Sequence, residues 1–280
     1  MAKLRAVALD VDGTLLDSSH NISPAVRKSI HDIWQQGIQV ILASGRHVGS
    51  LSQLLMELGV EGYVVAFSGG AVARVTSSKR IEIIQQHQLE LAHAEAMAHK
   101  ALANGLSVAW STLDHWYTPD AMGLYQQEAR ILRQEPVVVP GLRGLNVAPH
   151  KLQIMSHNAG GIVCLRAMRD AISSQYSALF SHDYMLEIMP KGTNKAAGLT
   201  KIGQLHGMTL SEMVAIGDAE NDIEMLRHAG LGVAMGHAPD TVKAAADWIT
   251  LTNGEDGVAF ALEQDWLRQR FFSAPEPSYP

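Results

Sequence analysis

Near the amino terminus a mostly apolar run, Arg5 to Leu9, ends in two carboxylates set two positions apart, Asp10 and Asp12, followed at once by Gly13 and Thr14. Short unbroken apolar runs mark parallel strands buried on both faces, so this one reads as a central strand that delivers acid to a sheet edge. Residues two apart share a side on a strand, and a chain that leaves strand geometry at Gly13 lets Asp10 and Asp12 splay around a common centre. Open α/β sheets bind ligands at that edge. Two carboxylates this close repel unless a cation sits between them or one keeps its proton. A helix cap would also place an aspartate at such a junction, so the rest of the chain has to decide.

The same arrangement recurs. Ser23-Pro24 opens a helix expected to reach Gln36, with Ser23 as N-cap and Pro24 at the first helical position. A strand over 38–43 ends in Ser44-Gly45-Arg46, a helix covers 48–58, and a strand over 63–67 ends in Ser68-Gly69-Gly70-Ala71. This alternation predicts an α/β fold with a doubly wound parallel-sheet, Rossmann-like core. From 84 to 186 the pattern changes: helices at 87–104, 121–132 and 158–174 alternate with strands at 106–111, 114–118, 151–155, 176–181 and 184–189. Paired strands flanking helices imply an inserted α+β domain on an antiparallel sheet. The parallel pattern then resumes with a helix over 193–206 and strands over 212–216, 230–234 and 248–251. The expected division is thus a core of 1–83 and 187–272, an insert of 84–186, and a proline-rich tail of 273–280 that frays.

Composition narrows the partners. A net charge of −6 offers neither counterion release to nucleic acid nor a polybasic patch for an anionic membrane. No stretch approaches the ~20 apolar residues of a membrane span, and no charged leader precedes the first strand, so a cytoplasmic location is expected. The single cysteine, Cys164, sits in an apolar helical pattern and reads as a packed thiol. His87, His93 and His99, read on one helix, are six apart and point in different directions, which argues against zinc.

The remaining chemistry falls at the same structural address. Asp218 and Asp222 stand four apart where a strand meets a helix, in Gly217-Asp218-Ala219-Glu220-Asn221-Asp222. Together with Asp10 and Asp12 they form an expected cluster of four carboxylates, which calls for a divalent cation, and an all-oxygen site suits Mg²⁺. Lys195 opens a helix, where the dipole disfavours a cation, so an anion should offset it. Ser44, with the amides after it, offers donors that suit phosphate. Each feature alone has an ordinary use as a turn or a solvated side chain; all of them, in this order at strand and helix boundaries, carry more.

In these motifs the chain resembles the haloacid dehalogenase superfamily phosphatases of the Cof type, which carry a large α/β cap between the second and third motifs. Asp10-Val11-Asp12-Gly13-Thr14-Leu15-Leu16 matches the first, Ser44-Gly45-Arg46 the second, Lys195 the third and Gly217 to Asp222 the fourth. The resemblance implies a Mg²⁺-dependent phosphomonoester hydrolase for small metabolites such as sugar phosphates or phosphorylated cofactors. Asp10, ionised from a reference pKa of ~3.9, would be the nucleophile and Asp12, its pKa raised by neighbouring charge, the acid/base. The Asp10 side chain, the Asp12 main-chain carbonyl and Asp218 would hold the metal, and Asp222, with Asn221 beside it, would anchor Lys195 or a metal-bound water. Ser44, Gly45, Arg46 and Lys195 would hold substrate, with Arg46 taking a second anionic group or pinning the cap through a carboxylate.

Two departures stand out: Gly69 occupies the family's usual asparagine, and Ala196 a frequent glycine. Cap residues are expected to choose the substrate, with His115, Trp116, Tyr117, His182, Tyr184 and Glu187 as candidates, although packing is the commoner use of such side chains. A phosphomutase, a receiver-like signalling module and a non-catalytic phosphate-responsive regulator are the alternatives. Nothing in the chain distinguishes monomer from dimer.

Overall fold

The apolar runs and amphipathic stretches resolve into two sheets. The structure is a computed structural model that describes residues 3–113, 115–119, 125–132 and 134–272, without the side chains of Gln127 and Ile131. In chain order the strands are β1 (Ala6–Leu9), β2 (Gln39–Ala43), β3 (Gly62–Ala66), β4 (Ala71–Val75), β5 (Ile81–Gln86), β6 (Ser107–Ser111), β7 (Trp116–Thr118), β8 (Val137–Val138), β9 (Lys151–Met155), β10 (Tyr176–His182), β11 (Met185–Pro190), β12 (Met213–Gly217), β13 (Leu231–Ala234) and β14 (Trp248–Ile249). The first sheet is ordered β14-β13-β12-β1-β2-β3-β4-β5 and the second β10-β11-β9-β6-β7-β8.

From β14 to β3 the first sheet is parallel, with helices on both faces. Alternate residues of β1 therefore bury in opposite layers: Val7 and Leu9 pack with Val40, Leu42 and Ile216, while Ala6 and Ala8 pack with Ile41, Ala43 and Ala215. That two-sided burial is why the strands are unbroken apolar runs. Among the helices, α1 (Pro24–Gln35) starts as expected, the Ser23 hydroxyl accepting from the Val26 amide, and α2 (Val48–Leu58) ends at Gly59 in the left-handed region.

Helices α3 (Leu91–Ala103) and α5 (Ala159–Ile172) cover one face of the second sheet, burying Ala94, Ala98, Leu165 and Met168 against Val108, Trp110, Leu152 and Ile188. On the other face α4 (Tyr125–Leu132) brings Tyr125 and Ala129 against Trp116, Met155 and Met185. The chain returns to the first sheet through α6 (Lys195–His206).

The antiparallel hairpin β4–β5 was not expected from the sequence. It prolongs the parallel sheet at its edge, where β5 is partly exposed and carries neither a continuous apolar run nor a strict alternation. The first sheet accordingly extends through Gln86, past the expected boundary at 83, and the second through Pro190, past 186. His87 precedes α3 rather than lying on it, because the helix begins only at Leu91. Cys164 is partly buried against the second sheet. The expected helical start at 121, residue 114 of an expected strand and the 273–280 tail lie outside the described residues. Among the described residues no helix is long and apolar enough to cross a membrane.

Candidate active site

Neighbouring strands β12, β1, β2 and β3 all end at one edge, and each delivers a polar turn there. Asp10 follows β1, its amide donating to the Ile216 carbonyl of β12 at 2.9 Å. Oxygens of Asp10, Asp218 and Asp222 lie within 4.8 Å of one another. Lys195, the first residue of α6, is fully buried and donates to Asp10 Oδ1 and Asp222 Oδ1 at 2.5 Å each. The anion expected to offset a cation at a helix start is this pair of carboxylates. Asn194 caps the helix through the Ala197 amide, so the backbone itself holds Lys195 under the strand ends.

The two acidic strand ends interlock. Asp222 Oδ2 accepts from the amides of Asp218 and Ala219, 3.0 Å each, which fixes the turn after β12. Asp218 Oδ1 accepts from the Thr14 hydroxyl at 2.8 Å, and His237 Nε2 lies 3.5 Å from Oδ2. Gly13, at φ +83°, is what allows this approach: a β-carbon there would stand 2.4 Å from Asp218 Oδ2.

Burial raises the Asp10 carboxyl well above its ordinary range. Lys195 opposes that rise, and Asp222 and Asp218 add to it. Burial and then Asp222 likewise raise Asp218. Burial alone would depress the Lys195 ammonium, but Asp10 and Asp222 outweigh it and hold the pKa above its ordinary value. One lysine therefore faces three carboxylates, an imbalance that favours a further cation. Asp10 is not the freely ionised carboxylate of the sequence reading, since its charge depends on such compensation.

Three carboxylates meet, not four. Asp12 lies in the turn beyond the strand, where its side chain is 42% exposed and is held by the Arg46 fork, Nε to Oδ2 at 2.8 Å and Nη2 to Oδ1 at 2.5 Å. His20 Nδ1 lies 3.8 Å from the same carboxylate. The charged neighbour of Asp12 is thus a cation. Arg46 is buried and also reaches the Ser50 hydroxyl, so its fork grips a core carboxylate rather than a cap one. Ser44 is buried, its Oγ accepting from the Arg46 amide at 3.2 Å. Asn221 Oδ1 is buried without a partner among the described residues.

A cleft of about 700 Å³ opens above these residues. Asp10, Asp12, Ser44, Gly45, Arg46, Asp218 and Asn221 line it from the first sheet; Lys195 lies beneath Asp10, behind the wall. Of the cap candidates, Trp116, His182, Tyr184 and Glu187 line it and His115 and Tyr117 do not, Tyr117 packing instead with the core of the second sheet.

Several wall residues escaped the sequence reading. Lys151 is the chief one: buried at the start of β9, it donates to Glu187 Oε1 and to the Gly45 carbonyl, both at 2.8 Å. A lysine opening an otherwise buried strand was the available signal. Glu128, raised by burial, and His47, lowered to about 4 by burial and then by Lys151 and Arg46, were also missed.

Gly69 has a local explanation. Its φ of +106° and the Asn194 carbonyl, 2.2 Å from where a β-carbon would stand, leave no room for an asparagine on this backbone. Ala196 packs into the layer beneath the sheet.

Residues 7–262 match the family of haloacid dehalogenase-like hydrolases. A putative phosphatase of Haemophilus influenzae is 31% identical over 93% of this chain and 97% of its own. A 5-amino-6-(5-phospho-D-ribitylamino)uracil phosphatase of Bacillus subtilis is 28% identical over 94% and 96%. The crystal structure of a haloacid dehalogenase-like hydrolase from Bacteroides thetaiotaomicron superposes with a TM-score of 0.84 at 32% identity, covering 93% of this chain and 99% of that one.

Proposed function

The chain belongs to the haloacid dehalogenase-like hydrolase family, and from that membership and its carboxylate–lysine cluster we propose a Mg²⁺-dependent phosphatase for small phosphorylated metabolites, working through an aspartyl-phosphate. The observation that carries the reading is Lys195 locked between Asp10 and Asp222 beside Asp218. The donors are all oxygens and their charge exceeds that of the one lysine, which fits a hard divalent cation. Asp10, Asp218 and the Asp12 main-chain carbonyl would hold Mg²⁺, which would offset charge on the phosphoryl group and on Asp10.

In the first half-reaction an Asp10 oxygen attacks phosphorus, the bond to the leaving oxygen breaks, and Asp12 supplies that oxygen's proton. In the second, water attacks phosphorus, Asp12 takes a proton from it, and the Asp10–phosphorus bond breaks, restoring both residues. Lys195, behind the wall, acts by holding Asp10 and Asp222 in place and offsetting their charge, while Ser44 and the Gly45 turn supply the donors to the phosphoryl oxygens. Arg46 acts here by holding Asp12 rather than by binding a second anion. The unit built on the second sheet, with Trp116, His182, Tyr184 and Glu187 on the cleft wall, selects the leaving group. The phosphatase relatives support the reaction class, and the single, partly buried Cys164 is compatible with a reducing cytoplasm.

The test is phosphate release from a panel of phosphorylated metabolites with Mg²⁺, run beside Asp10→Asn. Release by the parent protein alone is expected. Release by the variant at a comparable rate removes Asp10 as nucleophile, and none from any ester, an aryl phosphate included, turns the reading toward phosphate binding without turnover.

A further inference from the structure

The seam between the two sheets holds two polar atoms without partners. Glu187 is 3% exposed; its Oε1 accepts from Lys151 at 2.8 Å and from Gln153 Nε2 at 3.4 Å, but Oε2 has no partner among the described residues. Ser68 is equally buried, and its Oγ too has none. Both flank the same small space. The point where a β-carbon on Gly45 would stand lies 3.4 Å from Oε2 and 3.5 Å from Ser68 Oγ. A buried carboxylate oxygen without a donor is costly, and such a cost persists in a fold when something else uses the atom.

The backbone around Ser68 points the same way. Phe67, Ser68 and Gly69 all have positive φ, at 51°, 51° and 106°, a run that L-residues adopt only under constraint. The constraint is the second-motif turn: the Phe67 amide donates to the Arg46 carbonyl and the Ser68 amide to the Ser44 carbonyl, 2.9 Å each. Lys151 ties the other side, holding Glu187 with one N–H and the Gly45 carbonyl with another. The carboxylate is thereby fixed beside the turn that would cradle the phosphate, with Glu187 and Gly45 both on the cleft wall.

We propose that Glu187 Oε2 and Ser68 Oγ form a polar subsite that reads a hydroxyl on the leaving group, one or two carbons from the phosphoester oxygen. Glu187 is then a specificity residue for hydroxylated phosphate esters, and Lys151 is a positioning residue acting through it. The inference rests on the phosphatase reading above. Chemically, the carboxylate accepts from the hydroxyl while the serine can either donate to it or accept. An ester lacking that hydroxyl leaves both protein groups without a partner, and this loss is the source of discrimination.

The experiment measures kcat/KM for 1,2-propanediol 1-phosphate and for propyl phosphate, which differ only in the hydroxyl on the second carbon, in the parent protein, Glu187→Gln, Ser68→Ala and Gly45→Ala. The parent is expected to prefer the hydroxylated ester by roughly 10- to 100-fold, the range for a hydrogen bond to a charged group. That preference should collapse in Glu187→Gln and shrink severalfold in Ser68→Ala. Gly45→Ala, whose methyl enters the space at ordinary contact distances, should also reduce it. Ser68→Ala and Gly45→Ala leave no buried charge behind, so they decide the matter if Glu187→Gln does not fold. A preference unchanged in all folded variants, as for a seam that only seats a solvent molecule, overturns the subsite, as does equal loss on both esters. Absence of release from either ester and from an aryl phosphate in the parent overturns the phosphatase reading instead.

Discussion

Replacing Lys195 by methionine tests the electrostatic argument directly. The parent ammonium is fully buried and compensates two carboxylates at 2.5 Å, with a third in the same cluster. Methionine keeps much of the volume and removes the charge, leaving buried carboxylates unbalanced, which costs about 3–5 kcal/mol. At about 2–4 °C per kcal/mol for a chain of this size, the melting midpoint should fall by roughly 6–20 °C. The sign with pH follows from the carboxyls. Burial already holds the folded-state pKa of Asp10 and Asp218 above the ordinary range, and a group so raised contributes stability that is lost as pH rises through its folded pKa. Lys195 itself stays charged across neutral pH, its pKa being raised. The deficit of the variant should therefore be largest at the alkaline end of the range in which the protein is folded and narrow as pH falls and the carboxyls take up protons. Added Mg²⁺, binding the folded form, should raise the midpoint of the variant more than that of the parent. Calorimetry across pH, with and without Mg²⁺, measures all of this. A deficit under about 1 kcal/mol, or one that widens as pH falls, refutes the charge-compensation account.

Asp12→Ala should slow hydrolysis of alkyl phosphates by about 10²–10⁴-fold and of an activated aryl phosphate much less, because only the former needs its leaving oxygen protonated. Equal losses would remove the acid role. Gly13→Ala combines left-handed strain of roughly 1–2 kcal/mol with a β-carbon 2.4 Å from Asp218 Oδ2. Its half-saturating Mg²⁺ concentration should rise at least about tenfold, since displacing Asp218 would weaken the proposed metal site. An unchanged value in a folded variant would take Asp218 out of the metal site. Treatment with EDTA should stop phosphate release and lower the melting midpoint of the parent, with Mg²⁺ restoring both. Metal-independent turnover would contradict the reading of the carboxylate cluster.

Many of the strands and helices of the two sheets were legible because they obey local periodicities: unbroken apolar runs such as Val7 to Leu9 for strands buried on two faces, and capped amphipathic stretches such as Ser23 onward for helices. The positions of the proposed site residues at the sheet edge were legible for a related reason. Asp10, Ser44 and Asp218 follow apolar strands at once, so their place at the sheet edge is written in the chain itself. The hairpin β4–β5 was missed because a partly exposed edge strand has no such signature. Which carboxylates meet was not legible either. Asp12 has the same local credentials as Asp10, yet it turns to Arg46, 34 positions away, because the fork stands where β2 ends beside β1. The pairing of Lys151 with Glu187 and their approach to Gly45 were equally invisible, since they depend on how one sheet lies against the turns of the other. Local chemistry and period place a residue on an element and at an end of it; which charges become neighbours, and so which are neutralised and which left open to a ligand, is set by contacts between segments distant in the chain, where no sequence period reaches.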